Sequence, residues 1–267
     1  CLHAYPFEGL QQKTHGIRPG EVSLVTSGTG SGKSTILRYI ATHLLQKGER
    51  VGYLALEESN RRTALGLMSV AGGKAYHIGT HDRKDLAEAF NNTLANWNLF
   101  LYDGWGSVDP DIILNRVEYL ATGLDCRVVF IDHLSILISG LDGDERRMID
   151  QTMTKLRSLV ERTKIHLFLV SHLRRTQSDQ NHEEGARVTL GQLRGSGSIS
   201  QLSDTVIALE RNQQKDDSLT TIRVLKNRFT GEVGPCGQLR YDADTCKFNE
   251  TETFDNPFAK EAEPSDY

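Results

Sequence analysis

The chain has 267 residues, 38% of them hydrophobic and 25% charged, with a formal net charge of −4, which suits one large α/β domain with a substantial core. No apolar run approaches the ~20 residues needed to cross a bilayer and no signal peptide opens the chain, so a soluble, intracellular protein without a membrane partner is expected. Four scattered cysteines without a C-x-x-C pair, and nine histidines without H-E-x-x-H, argue against a disulfide framework and a zinc site.

The segment before Gly16 is too short to show a full helix. Residues 21–26 alternate like a strand, and Ile36, Leu37, Ile40, Ala41, Leu44 and Leu45 repeat with helical spacing. Between them lies TSGTGSGKST, residues 26–35. The phosphate-loop pattern G-x-x-x-x-G-K-[ST] asks for Gly where this chain has Ser27. Gly28, Gly30 and Gly32, with Thr29 and Ser31 between them, still let backbone N–H groups wrap around phosphates. Lys33 offers a point charge to the β and γ phosphates, and Ser34 a hydroxyl to a magnesium ion. Ser34 and Thr35 open a helix whose positive end faces the same ligand.

Apolar runs of strand length follow at 51–56, 98–102, 127–131 and 165–170, with helical patterns at 61–70, 83–96, 109–122 and 144–163. That alternation predicts a parallel sheet covered by helices on both faces. Residues 174–197 read as a long polar loop carrying Arg174, Arg175, Arg187 and Arg194, and a loop of that length is usually functional or disordered. Runs at 204–210, 219–226, 237–241 and 246–249 have only short connections, which predicts antiparallel additions at one edge. The last eighteen residues hold six acids, one base and two prolines without periodicity. They read as an acidic disordered tail, 250–267, after a domain spanning 1–249, and removing its charge of −5 leaves that domain at +1.

Ligands of a parallel sheet gather beyond the carboxyl ends of its strands. Three such ends, besides the phosphate loop, are polar here: Glu57 and Glu58, Asp132 and His133, and Ser171 and His172. Asp132 after an apolar run has the form of a Walker B acid that holds magnesium near Ser34. A carboxylate beyond the neighbouring strand can orient the water that attacks the γ phosphate, and spacing alone does not choose between Glu57 and Glu58. His172 could hydrogen-bond that phosphate and report its loss, although a lone histidine at a strand end is more often structural.

Taken together, SGTGSGKST, LALEES at 54–59, FIDHLSI at 130–136, LVSHLRR at 169–175, LRGSGSISQLSDTVIALERNQQ at 193–214 and KNRFTGEVG at 226–234 carry a family likeness. In that order they resemble the helicase half of the short-tailed bacteriophage primase-helicases, to which the mitochondrial replicative helicase is related. The resemblance runs from about residue 16 to 241, and Ser at position 27 is usual in that family.

The resemblance implies a RecA-like α/β fold, with a mostly parallel sheet, helices on both faces and antiparallel edge strands at the C-terminal end. It implies an NTP-hydrolysing ring, a homo-hexamer or heptamer, that uses ATP or dTTP with magnesium, moves on single-stranded DNA and unwinds duplex at a replication fork. It selects Glu57 as the catalytic carboxylate, His172 as the phosphate sensor and Arg228 as an arginine finger acting on the next subunit. Arg211 and Tyr241 fall where the family clasps the base, and Arg174, Arg175, Arg187 and Arg194 fall where it contacts DNA. Acidic tails in the family bind the replicative DNA polymerase, and the expected location is the cytoplasm of an infected bacterium, or the mitochondrial matrix for the organellar relative. The competing reading is a RecA-type filament protein in which nucleotide controls strand exchange, although nothing in the sequence marks a second DNA site.

Overall fold

The computed structural model describes residues 3–28, 32–102, 104, 109–133, 145–173, 187–193, 197–211 and 219–251. Six runs rich in β-branched and apolar residues form parallel strands: β1 (Val22–Ser27), β2 (Val51–Ala55), β3 (Leu99–Leu101), β4 (Val128–Asp132), β5 (His166–His172) and β6 (Thr205–Glu210). β7 (Leu219–Asn227), β8 (Gly234–Asp242) and β9 (Lys247–Glu250) extend the sheet antiparallel. The order is β3-β2-β4-β5-β1-β6-β7-β8-β9, so β1 lies between β5 and β6. The helices are α1 (Glu8–Thr14), α2 (Lys33–Gln46), α3 (Asn60–Gly72), α4 (Arg83–Asn92), α5 (Pro110–Thr122), α6 (Glu145–Thr163) and α7 (Gly197–Leu202). The expected α/β class, with its antiparallel C-terminal edge, is the one observed.

Because side chains alternate across a strand, each central strand feeds two cores. Val25, Tyr53, Phe130 and Phe168 face α2, where Ile36, Leu37, Ile40 and Leu44 are buried. Leu24, Leu54, Val129 and Leu167 face α5 and α6, against Val117, Met153, Leu156 and Val160. On the α2 side, Tyr53, Phe130 and Phe168 stack across β2, β4 and β5, with ring centroids 5.3 and 4.7 Å apart. Aromatic pairs in this geometry add about 1 kcal/mol each beyond burial and pin the register that aligns the strand ends. Among the described residues no helix is long and apolar enough to cross a membrane.

The structure corrects three local expectations. The N-terminal segment does form a helix, α1, whose first N–H groups, at Glu8 and Gly9, donate to the Glu250 carboxylate at 2.9 and 3.3 Å. It lies so close to β8 that a Cβ on Gly9 would fall 1.6 Å from the Cys236 carbonyl oxygen. β9 runs to Glu250, one residue past the expected boundary, and the Thr251 N–H still bonds to the Gln238 carbonyl at 3.0 Å. The polar segment before α7 is not wholly irregular: Leu190–Gln192 form a 3-10 turn, and Leu173 and Leu193 form a bridge. Residues 252–267 of the expected tail lie outside the described residues.

Candidate active site

The β1–α2 connection turns sharply at Gly32, the residue before α2, whose φ of 86° lies in the left-handed region that favours glycine. Thr29, Gly30 and Ser31 lie outside the described residues, so the loop is seen at Ser27, Gly28 and Gly32 onward. Lys33 is buried, and its Nζ donates to the Ser27 carbonyl at 3.2 Å, the Ser27 hydroxyl at 3.1 Å and the Gly28 carbonyl at 3.0 Å. Burial pushes its pKa down to about 8, against the opposing influence of Asp132 and Glu57. An ammonium in this setting, held by neutral oxygens of its own loop, gains from an anion entering the loop.

Ser34 and Asp132 are brought together: the Ser34 hydroxyl donates to Asp132 Oδ2 at 2.6 Å. Asp132 is buried at the end of β4, and desolvation raises its pKa while the Ser34 bond opposes the shift. A hydroxyl that gives its proton to Asp132 keeps its oxygen lone pairs for a cation, so the pair fits magnesium with Ser34 as ligand and Asp132 directly behind it. Thr35 is half-buried in the first turn of α2.

The two carboxylates after β2 part company. Arg38 Nη2 donates to Glu58 Oε1, the Thr63 hydroxyl donates to the same oxygen at 2.8 Å, and Arg62 Nε lies 3.5 Å from Oε2. Arg38 reaches this position because Gly66 has no Cβ, which would fall 2.8 Å from the guanidinium carbon. Glu57 is 49% exposed, with Oε1 3.2 Å from His133 Nδ1. Desolvation, then the charge of Asp132, raises its pKa. The His133 and His172 rings meet edge to face with centroids 4.1 Å apart. Ligand atoms of Glu57, His133 and His172 all lie within 4.8 Å of one another. The expected His172 is thus brought beside Glu57. In the sequence His133 is only a neighbour of Asp132, and nothing in the spacing reveals that it faces Glu57.

Ser27 pairs with Leu209 in the sheet, so Arg211, just beyond β6, emerges at the phosphate-loop edge, with a buried Nε that has no hydrogen-bond partner among the described residues. Tyr241 reaches the same edge on β8, packed 4.9 Å from the Phe248 ring, and burial pushes its phenol up to about 12. Arg187 is exposed beside Val188, whose N–H donates to Glu210 Oε1 at 2.9 Å at the end of β6. Arg174, Arg175 and Arg194 lie outside the described residues.

Arg228 is elsewhere. β7 runs antiparallel to β6 with Asn227 opposite Thr205, so Arg228 sits at the amino ends of the parallel strands. At about 3.3 Å per residue, the six residues of β1 put it roughly 20 Å from the phosphate loop of its own chain.

Residues 4–250 match the family described as DnaB-like helicase C-terminal domain. Over 247 residues the chain is 40% identical to the DNA helicase/primase of Enterobacteria phage T3, an alignment that covers 89% of this chain and 44% of that protein. The chain thus spans less than half of that relative. A solved structure described as a DnaB-like replicative helicase and its interactions with primase superposes with a TM-score of 0.78 at 20% identity, over 92% of this chain and 63% of that one. A second solved structure, described as an ATPase domain, superposes with a TM-score of 0.77 at 20% identity, over 94% of this chain and 92% of that one. The RecA-like architecture expected from the sequence is the fold these structures share.

Proposed function

This chain belongs to the DnaB-like helicase C-terminal domain family, and from that premise we propose that it is the motor of a ring helicase that hydrolyses NTP to move on single-stranded DNA and unwind duplex at a replication fork. The observation that carries the reading is the convergence of Lys33, Ser34, Asp132, Glu57 and His172 at one sheet edge, while Arg228 lies at the opposite one. The substrate is an NTP, ATP or dTTP. Magnesium, held by Ser34 with Asp132, would neutralise phosphate charge when bound.

Each residue then has a task that its surroundings permit. Lys33 turns from the loop's oxygens to the phosphates. Glu57, half exposed beside His133, orients the attacking water and accepts its proton; Glu58 is occupied by Arg38, Thr63 and Arg62. His172, beside His133, senses the γ phosphate, and Arg211 and Tyr241 flank the base. Arg228 completes the site of the next subunit in a homo-hexamer or heptamer, since its own is out of reach. Arg174, Arg175, Arg187 and Arg194 contact DNA phosphates. The phage relative favours the cytoplasm of an infected bacterium over the mitochondrial matrix.

The test is strand displacement on a forked duplex. The chain should separate the strands with NTP and magnesium and not with a non-hydrolysable analogue, and hydrolysis should rise when single-stranded DNA is added. DNA-independent hydrolysis without strand separation would refute the motor reading.

A further inference from the structure

Arg228 is 51% exposed, yet it is held on two sides. Its Nη1 donates to Asp204 Oδ1 at 3.0 Å and its Nη2 to the Gln201 carbonyl at 2.9 Å. Its backbone N–H donates to the Asp204 carbonyl at 2.9 Å. Asp204 is buried, and its other oxygen accepts from the Val22 N–H at 2.8 Å and from Arg157 Nη1 at 2.5 Å. Its backbone N–H donates to the Val22 carbonyl at 2.8 Å. The carboxylate is therefore fixed by β1, by the backbone and by an arginine that is only 17% exposed, with or without Arg228.

We propose that Asp204 is a positioning residue for Arg228, holding the guanidinium from behind so that its remaining N–H groups point at the neighbouring subunit's nucleotide. The inference rests on the reading of Arg228 as a finger acting in trans. Exposed ion pairs usually contribute little, because two long side chains must be ordered to form them. Here one partner is already immobile, and Nη1 and Nη2 are each engaged once. A guanidinium has five N–H donors, so three remain without a partner among the described residues. Pre-orienting an arginine spares the transition state the ordering of a flexible side chain.

The same contacts tie the finger to α7. Gln201 lies in that helix's last turn, and Lys226 Nζ also donates there, to the Ser200 carbonyl at 2.6 Å and the Gln201 carbonyl at 3.0 Å. The placement of Arg228 thus depends on Asp204 from the sheet and on α7 from the helix layer.

Asp204→Asn is the informative change. One amide oxygen cannot serve Val22, Arg157 and Arg228 together, and the amide NH₂ opposes whichever donor it faces. The full chain is mixed, with single-stranded DNA, as two species: Lys33→Ala, which supplies only a finger, and Arg228→Ala, which supplies only a nucleotide site. That mixture should regain hydrolysis. With Asp204→Asn added to the Lys33→Ala species, kcat of the mixture should fall roughly ten- to a hundredfold with KM for nucleotide unchanged, the loss expected for one charge-assisted contact.

With Asp204→Asn added instead to the Arg228→Ala species, hydrolysis should match the control, which also shows that the altered chain folds and binds nucleotide. Equal activity in both arrangements overturns the proposal. Equal loss in both overturns it too, since Asp204 would then be merely structural. A control mixture no more active than its parts overturns the finger reading itself, and Asp204 with it.

Discussion

Glu57→Gln and Glu58→Gln should fail in opposite ways. Glu58 is 19% and Arg38 10% exposed, and two further donors converge on the carboxylate. Removing its charge leaves the Arg38 guanidinium facing a neutral amide in a site from which water is largely excluded. Breaking one side of a buried pair costs about 3–5 kcal/mol. The retained amide oxygen still serves Thr63, and the site is not fully closed, so about 2 kcal/mol is the expected loss. For a chain of this size that is a drop of roughly 4–8 °C in Tm, with hydrolysis by the folded fraction nearly intact. Glu57 is 49% exposed and pairs with His133, so Glu57→Gln should stay within about 0.5 kcal/mol of the parent. Its hydrolysis should fall by about 10²–10⁴, because an amide can hold water but cannot take its proton. Thermal unfolding and steady-state NTP hydrolysis of both variants decide the matter. A stable, inactive Glu58→Gln beside an active Glu57→Gln would refute the assignment.

Three further expectations follow from other parts of the molecule. His166 is buried between the Arg18 carbonyl, 2.7 Å from Nδ1, and the Ser23 hydroxyl, 3.0 Å from Nε2, and burial pushes its pKa down to about 4. Between the ordinary value near 6.5 and 4 the unfolded chain binds a proton that the folded chain refuses. Stability should therefore fall as pH falls across that window, by on the order of 3 kcal/mol, and denaturant titrations should find the slope flattened in His166→Gln; an unchanged slope would clear this residue of responsibility. Gly9→Ala would place a methyl against the Cys236 carbonyl and should destabilise the fold by about 2 kcal/mol or more, so an unaltered Tm would contradict the close approach of α1 to β8. Deleting residues 252–267 should leave hydrolysis intact and weaken binding to the cognate polymerase, most at low salt; equal affinity at low ionic strength would assign the acids another role.

The legible parts are those written in local pattern. Alternating strands and helices point to the parallel sheet, and the strand-end rule leads to Asp132 and His172 because an apolar run followed by a polar residue is visible in one dimension. The different surroundings of Glu57 and Glu58 are not legible in the local pattern. What holds Glu58 is Arg38, twenty positions away on α2, which reaches it through a gap left by Gly66 on α3. α1 escapes notice because seven residues are too few to show a period, and the group that caps it, Glu250, is 242 positions distant. The same carboxylate reads as the first acid of a tail when only its neighbours are considered. Asp204 gives no signal because partners on several elements define it, and a serine followed by an aspartate before a strand is otherwise unremarkable.

Arg228 and its own phosphate loop lie at opposite ends of β1, so a head-to-tail assembly built on that arginine as a finger would have a direction. If each subunit lends its arginine forward, an uncapped row always has a last arginine with nothing to serve and a first site that nothing serves. A dimer of that kind would work at half capacity, and longer rows would fall short by one site each. Only closure on itself removes both ends. Turnover per chain should then climb with protein concentration in diminishing steps and level off where the circle closes, and a small dose of Arg228→Ala chains should silence about one intact neighbour each.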